Sequence, residues 1–171
     1  LRAVRTSGLF DDTFMRTFHL RFQQPDWSKL LVQAHGTDSN VVCRLESDNG
    51  LVLEGVGARY KGYSSFAPDR DKNSLNITLD FIHPSHRFLG YETLNLNNGW
   101  GDPTLLREAV YFGVFRRYAP APRAGIARLF INGQNRGVYS LAQQGDSDLI
   151  REWFPSASGD RWRTPNKTQG A

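Results

Sequence analysis

The sequence predicts an α+β fold: a mostly antiparallel sheet of about six or seven strands, with a principal helix at about 103–118 and a flanking helix at about 26–35. Two patterns predict this class. Segments in which apolar and polar residues alternate, as in a half-buried strand, recur along the chain and are joined by turn signals. Long stripes at helical spacing occur at the two predicted helices. With 171 residues and 39% hydrophobic content, the chain is long enough for one core and too short to expect two.

The N-terminal third of the chain predicts a strand, a helix and a hairpin. Alternating residues indicate a strand at 15–22. The flanking helix follows, and its core-facing stripe comprises Trp27, Leu30, Leu31 and Ala34. Residues 41–46 and 51–56 then flank Asn49-Gly50. We expect a hairpin there, because Asn-Gly supplies the positive backbone φ angles that a tight turn demands.

Further strands show the same alternation and are expected at 75–79, around 94–96, at 124–132 and at 137–143. A short helix capped by Asp146 or Asp148 runs on to Phe154. We therefore assign residues 1–154 to one α+β domain. Residues 155–171 are poor in aliphatic side chains and rich in Ser, Gly, Thr and Pro, so we interpret them as an extended tail.

The principal helix has a clear start signal in the sequence. Asp102 is suited to the N-cap, and Pro103 to the first helical position. We expect this helix to bury an apolar stripe that continues to about Tyr118 and comprises Leu106, Ala109, Val110, Gly113 and Val114. Glu108 is its one carboxylate after the cap.

A glycine-rich stretch surrounded by cations is the candidate functional site. Gly57 and Gly62 allow close approaches that a side chain would block, and Arg59, Lys61 and Lys72 place positive charge beside them. Such a set suits a bound anion. The same pattern fits a glycine-bent strand whose basic residues face water, and the local pattern leaves both interpretations open. Arg59 and Lys61 are two residues apart in one strand, so their side chains share a face.

Composition narrows the functional classes. Lys plus Arg exceed Asp plus Glu by 21 to 17, and a net charge of +4 favours acidic partners or a membrane surface. The cations are scattered and match no nucleic-acid-binding motif, so we expect no nucleic-acid partner. No apolar run of about eighteen residues predicts a transmembrane segment. Cys43 is the single cysteine, and His83 and His86 are interpreted as part of a surface loop, so we predict neither a disulfide nor a metal site.

Several short sequence motifs follow one another in a characteristic order along most of the chain, from roughly residue 10 to residue 163. They are Val-Gly-Ala-Arg-Tyr-Lys-Gly-Tyr-Ser-Ser at 56–65, Lys-Asn-Ser-Leu at 72–75, Phe-Leu-Gly-Tyr-Glu-Thr-Leu-Asn-Leu-Asn-Asn at 88–98, Asp-Pro-Thr-Leu-Leu-Arg-Glu at 102–108, Ala-Pro-Arg-Ala at 121–124, Ile-Asn-Gly at 131–133 and Gly-Val-Tyr-Ser-Leu at 137–141. In these blocks the chain resembles the N-terminal part of the CotH kinase-like domain, the family of spore coat protein H. Members of that family look like divergent protein kinases, and the spore-coat members phosphorylate coat proteins.

This resemblance implies the nucleotide-side half of an atypical kinase fold, with ATP and Mg²⁺ as candidate cofactors. The implied nucleotide or anion contacts are Gly57, Arg59, Lys61, Gly62 and Lys72. In a kinase-like fold a helix glutamate pairs with the nucleotide-contacting lysine, so the resemblance suggests Glu108 with Lys61 or Lys72. The alternative is that Glu108 lies with Arg107 on a solvent-facing side of the helix.

Two departures from the family pattern bear on catalysis. The aspartates that hold metal in CotH-like kinases belong to a C-terminal part that this sequence does not reach. Relatives tend to carry Glu where this chain has Gln143, so a neutral amide replaces a carboxylate. We therefore predict a non-catalytic interaction or structural subunit. The alternatives are an ATP-dependent protein phosphotransferase, if a C-terminal catalytic part exists, and an anion-binding module.

Aromatic residues at the edges of elements and in loops are candidates for contact with a protein partner. They are Trp100, Trp153 and Trp162, together with Phe10, Phe14 and Phe154. We expect a hetero-assembly, which could be peripheral to a membrane. The spore-surface and secreted habits of the relatives imply a location outside the cytoplasm, whether periplasmic, cell-surface or secreted.

Overall fold

Seven strands and three helices make up the part of the chain that the computed structural model describes, which is residues 8–11, 13–160 and 162. In chain order they are β1 (Arg16–Arg21), α1 (Trp27–Ala34), β2 (Val41–Ser47), β3 (Val52–Lys61), β4 (Ser74–Thr78), β5 (Thr93–Asn97), α2 (Arg107–Phe115), β6 (Ala124–Ile131), β7 (Gln134–Ala142) and α3 (Ser147–Trp153). The predicted α+β class with six to seven strands is confirmed.

The strands close into a barrel in the order β1-β2-β3-β4-β5-β7-β6. Every neighbouring pair is antiparallel except β1 and β6, which run parallel and join the two ends of the sheet. In this closing pair Leu20 lies opposite Ile131. Closure removes the exposed strand edges that an open sheet would present. The sequence predicted the strands but not this closure.

The barrel interior is the hydrophobic core, to which every strand contributes alternate side chains. Phe18, Leu45, Leu75, Leu96 and Leu129 are fully buried there. Additional apolar side chains close the core from outside the strands: Leu9, Leu31, Leu79 and Phe88. Burial also raises the pKa of the Cys43 thiol to about 12, so this cysteine is protonated at neutral pH and is a poor nucleophile.

The predicted hairpin is present between β2 and β3, but its turn differs in detail from the expectation. Gly50 has a positive φ of 83°, whereas Asn49 does not belong to the residues with positive φ. The Asn49 side chain instead accepts hydrogen bonds from Ser47 Oγ at 2.6 Å and from the Leu51 amide at 3.1 Å. The side-chain oxygen of Asn49, together with the left-handed Gly50, therefore shapes this turn.

Helix α1 and helix α3 form as predicted. The α1 stripe packs on the core, with Leu31 and Ala34 buried and Trp27 and Leu30 half-buried. Asp146 caps α3 through hydrogen bonds that its carboxylate accepts from the Asp148 and Leu149 amides. Short elements with local start signals were therefore predictable from the sequence.

Helix α2 begins later than predicted, and Asp102 is not its N-cap. Leu106 holds that position, and the helix starts at Arg107. Leu105 has a positive φ of 58°, which interrupts the helix that Pro103 would otherwise begin. The Asp102 carboxylate stabilises the preceding turn instead, since it accepts hydrogen bonds from the Thr104 and Arg107 amides.

The buried stripe predicted for α2 is also wrong. Leu106, Val110 and Val114 are 47%, 60% and 53% exposed, and no residue is buried in this fully described helix. The half-buried helix positions are Glu108, Ala109 and Phe112, so Ala109 is the one member of the predicted stripe that is not exposed. Because successive residues turn by about 100°, anchoring Glu108 to the sheet rotates Leu106 and Val110 outward.

Candidate functional site

A row of polar side chains covers the outer face of strands β3, β4 and β5. Arg59 lies opposite Asn76, and Asn76 lies opposite Asn95. In the neighbouring row, Lys61 lies opposite Ser74. Side chains alternate across a strand, so these residues point away from the barrel interior that Tyr60, Leu75 and Leu96 fill. We call Asn76, Asn95, Asn97 and Gln144 the amide cluster.

The ammonium group of Lys61 is held by the amide cluster. Its Nζ atom donates to Asn95 Oδ1 at 3.1 Å, and Asn76 Nδ2 donates to the same oxygen at 3.0 Å. The Asn95 amide nitrogen in turn donates to Gln144 Oε1 at 2.6 Å. Asn76 and Asn95 are buried, so these amides are aligned before any ligand arrives.

Glu108 of α2 reaches the same face of the sheet. Asn97 Nδ2 donates to both Oε1 and Oε2 of Glu108, each at 2.8 Å. Asn95 and Asn97 are two residues apart on β5, so Lys61 and Glu108 approach side chains whose Cα atoms are about 7 Å apart. The predicted lysine–glutamate pair is thus brought to one face, where each member contacts a neighbouring asparagine.

The other two cations make different contacts. Arg59 forms an ion pair with the exposed Asp38, at 3.6 Å between Nη1 and Oδ1. Lys72 lies over the ring of Tyr139, with Nζ 4.9 Å from the ring centre, and burial lowers the pKa of its ammonium. Tyr139 belongs to the buried core, whereas the Asn95 amide that contacts Lys61 lies on the outer face of the sheet. The three cations therefore have three different partners.

The two site glycines are required by the protein's own packing. A Cβ atom at Gly57 would lie 2.7 Å from the Phe81 ring and 2.9 Å from Asn40 Cβ. Gly62 has a positive φ of 95°, and a side chain there would overlap Ser65 Oγ. Side chains of the same domain already occupy the space beside both glycines. Close packing within the domain therefore accounts for both glycines.

A second polar cluster, which sequence reasoning missed, surrounds Glu152 at the end of the barrel. Its carboxylate forms ion pairs with Arg116 and Arg123. Burial raises the pKa of this carboxyl, but hydrogen bonds from Arg123 and Gln143 and the charges of the arginines outweigh it, so the pKa is lowered. Arg123 belongs to the Ala-Pro-Arg-Ala block at 121–124, but Glu152 lies 29 residues beyond Arg123, so no local pattern links the carboxylate to the two arginines.

Gln143 uses both ends of its amide in this cluster. Its Oε1 accepts from the Arg123 amide at 2.9 Å, and its Nε2 donates to Glu152 Oε2 at 3.3 Å. An ionised glutamate at this position would have no hydrogen to donate and would face the Glu152 carboxylate. The amide that departs from the family pattern is therefore matched to the structure around it.

The three candidate tryptophans lie in different surroundings. Trp153 is half-buried beneath the Arg116 guanidinium, and its Nε1 donates to the Ala121 carbonyl at 3.3 Å. Trp100 is 60% exposed, with the Arg70 guanidinium 4.1 Å from its ring centre. Trp162 is 93% exposed. Trp100 and Trp162 thus offer free aromatic surface, whereas Trp153 is engaged within the domain.

An open groove of about 500 Å³ runs between α2 and β6. Its apolar lining includes Phe10, Leu106, Val110, Val114 and Ile126, and its charged lining comprises Arg116, Arg117 and Arg123. We call this feature the α2 groove. It was not predicted, because the apolar residues of α2 were assigned to the core.

Among residues 8–11, 13–160 and 162, no three His, Cys, Asp or Glu side chains come together in a way that could hold a metal ion. The rings of His83 and His86 lie 4.7 Å apart in an exposed loop, in agreement with the surface location predicted for them. No helix of the described part is both long and apolar enough to cross a membrane.

The family of this barrel domain follows from a comparison of its sequence with known protein families. Residues 58–163, more than half of the chain, match the family described as CotH kinase protein. The chain therefore belongs to the CotH kinase protein family, and the resemblance seen in its sequence blocks is confirmed. The matched range includes Lys61, Lys72 and Glu108. A search of curated proteins found none that matches the chain.

Proposed function

We propose that this chain is a non-catalytic interaction domain of the CotH kinase family, which joins a larger protein assembly through the α2 groove. The observation that carries this proposal is the exposure of the apolar face of α2 beside β6. Leu106, Val110 and Val114 lie there in one stripe and line a concave surface. Contiguous apolar surface of this kind is typical of an interaction site.

The surroundings of the candidate nucleotide residues support a role without phosphoryl transfer. The close packing of Phe81 against Gly57 and of Ser65 against Gly62 accounts for both glycines without a bound phosphate. Arg59 and Lys72 are held by Asp38 and by the Tyr139 ring. The location outside the cytoplasm that the family resemblance implies is part of the proposal.

The state of the chain isolated from its source tests this function. In native mass spectrometry we expect a complex heavier than the 19.4 kDa chain. Val110→Gln should weaken that complex by about tenfold or more, because buried anchors at the centre of an interface contribute most of its binding energy. Val52→Gln is the matched control, since Val52 is exposed on β3, away from the groove. A wild-type chain found only at 19.4 kDa, or equal behaviour of both variants, would refute the proposal.

A second candidate function, ATP-dependent protein phosphotransfer, is favoured by one observation. Lys61 and Glu108 reach neighbouring asparagines on one face of β5, as a nucleotide-contacting lysine and its helix glutamate would. The glycines give this function no further support, because packing against Phe81 and Ser65 already accounts for them.

Incubation with labelled ATP and Mg²⁺ or Mn²⁺ separates the two functions. The interaction role predicts no incorporation of label into the chain or into an added protein substrate. Incorporation that is lost in Lys61→Ala and kept in Lys29→Ala would restore the enzymatic function. Lys29 is a suitable control because it is an exposed lysine on α1.

A further inference from the structure

We infer that the α2 groove receives an amphipathic helix of a partner protein, with an apolar stripe bordered by carboxylates. This inference rests on the interaction role proposed above and specifies the chemistry of the partner. It combines the shape of the groove, its apolar lining and its unbalanced positive charge.

The shape favours a helical segment of another protein. The groove lies between a helix and the first residues of β6, and it has apolar side chains on both walls, Val110 and Val114 on α2 and Ile126 on β6. Grooves of this kind take up helices that insert residues at positions i, i+3, i+4 and i+7. A lipid bilayer presents a broad surface and would instead be bound by apolar side chains that protrude.

The charge favours an acidic partner. Arg116, Arg117 and Arg123 line the groove, and no carboxylate among the described residues lines it with them. Glu152 pairs with Arg116 and Arg123, so the unbalanced positive charge of the groove lies at Arg117. The Arg117 side chain is exposed and has no hydrogen bond or ion pair with a residue that the structure describes. Carboxylates on a partner would neutralise this excess and hasten association.

The same charge argues against two other occupants. A second copy of the chain would bring its own Arg117 to a two-fold interface formed by this groove, and like charges would repel. Residues 1–7 and 163–171 of this chain contain basic side chains but no Asp or Glu. Neither segment supplies the carboxylates that the groove would select.

Peptide binding to the full chain tests the inference directly. The probe is a fluorescently labelled amphipathic peptide of about 18 residues, long enough to form a helix, with leucines at i, i+3, i+4 and i+7 and glutamates beside them. Its control carries lysine in place of every glutamate. By fluorescence anisotropy we expect the glutamate peptide to bind at least about tenfold more tightly, and its affinity to fall as the salt concentration rises.

Two pairs of variants locate the binding. Arg117→Glu should lower the affinity for the glutamate peptide by about tenfold. Lys29→Glu changes the net charge by the same amount and should leave that affinity unchanged. Val110→Gln should also weaken binding, whereas Val52→Gln should not. All four positions are exposed, so the variants are expected to fold, and circular dichroism checks this.

Several outcomes would overturn the inference. The first two are equal binding of the two peptides and equal effects of Arg117→Glu and Lys29→Glu on peptide binding. The third is binding to phosphatidylserine-containing vesicles that depends on Arg117 and is stronger than binding to the glutamate peptide. The fourth is self-association of the chain that Val110→Gln abolishes. If the native complex is sensitive to Val110→Gln but insensitive to Arg117→Glu and to salt, the proposed function stands and the acidic partner is wrong. If neither substitution affects the complex, both fail.

Discussion

Replacing Asp48 with alanine is expected to lower the free energy of unfolding by about 2 kcal/mol, because it removes a carboxylate partner of a buried arginine. Arg16 is 4% exposed, and its Nη1 lies 3.3 Å from Asp48 Oδ1. The guanidinium also packs against the rings of Phe14 and Phe88. Water therefore cannot replace the lost carboxylate at low cost.

Urea unfolding of matched variants measures this effect. Glu46→Ala is the control, because Glu46 pairs with Arg21 and Arg44, whose side chains are 54% and 41% exposed, and exposed pairs of this kind contribute little to stability. The double variant Arg16→Met/Asp48→Ala should recover much of the loss, since it removes both charges and keeps an apolar side chain. Equal losses for Asp48→Ala and Glu46→Ala would contradict the prediction.

Replacing Asn97 with aspartate is expected to cost about 3 kcal/mol and to loosen α2 from the barrel. The change removes the two hydrogen bonds that the Asn97 amide donates to the Glu108 carboxylate. It also places a second carboxylate against the first. Hydrogen exchange should show faster exchange of the α2 amides, and urea unfolding should show the lower stability.

A reversed pair provides the sharpest check on this contact. In the double variant Asn97→Asp/Glu108→Gln, the amide lies on the helix and the carboxylate on the strand, so stability should return toward that of the wild type. Asn135→Asp is the matched control, because Asn135 is exposed and its Oδ1 accepts from the Gly137 amide, a role that a carboxylate retains. No rescue by the double variant would show that Glu108 is not what holds α2.

The sequence by itself determined the features that depend on neighbouring residues. Alternation along Phe18 and Leu20, or along Leu94 and Leu96, marks strands because side-chain direction repeats every two residues. Asp146 marks the start of α3 because a cap acts within one helical turn. The ordered blocks also revealed the family, since they could be compared without any knowledge of contacts.

Tertiary structure alone decided how these elements combine. Barrel closure depends on β1 pairing with β6, and no local pattern encodes a contact between residues about 110 positions apart, such as Phe22 and Asn132. The sequence pattern likewise did not predict how α2 is rotated about its own axis. Its apolar stripe predicted burial, but the contact between Glu108 and Asn97 turned that stripe outward and created the α2 groove. The partners of Lys61 and Lys72 were hidden as well, because Asn95 and Tyr139 lie far from the two lysines in sequence.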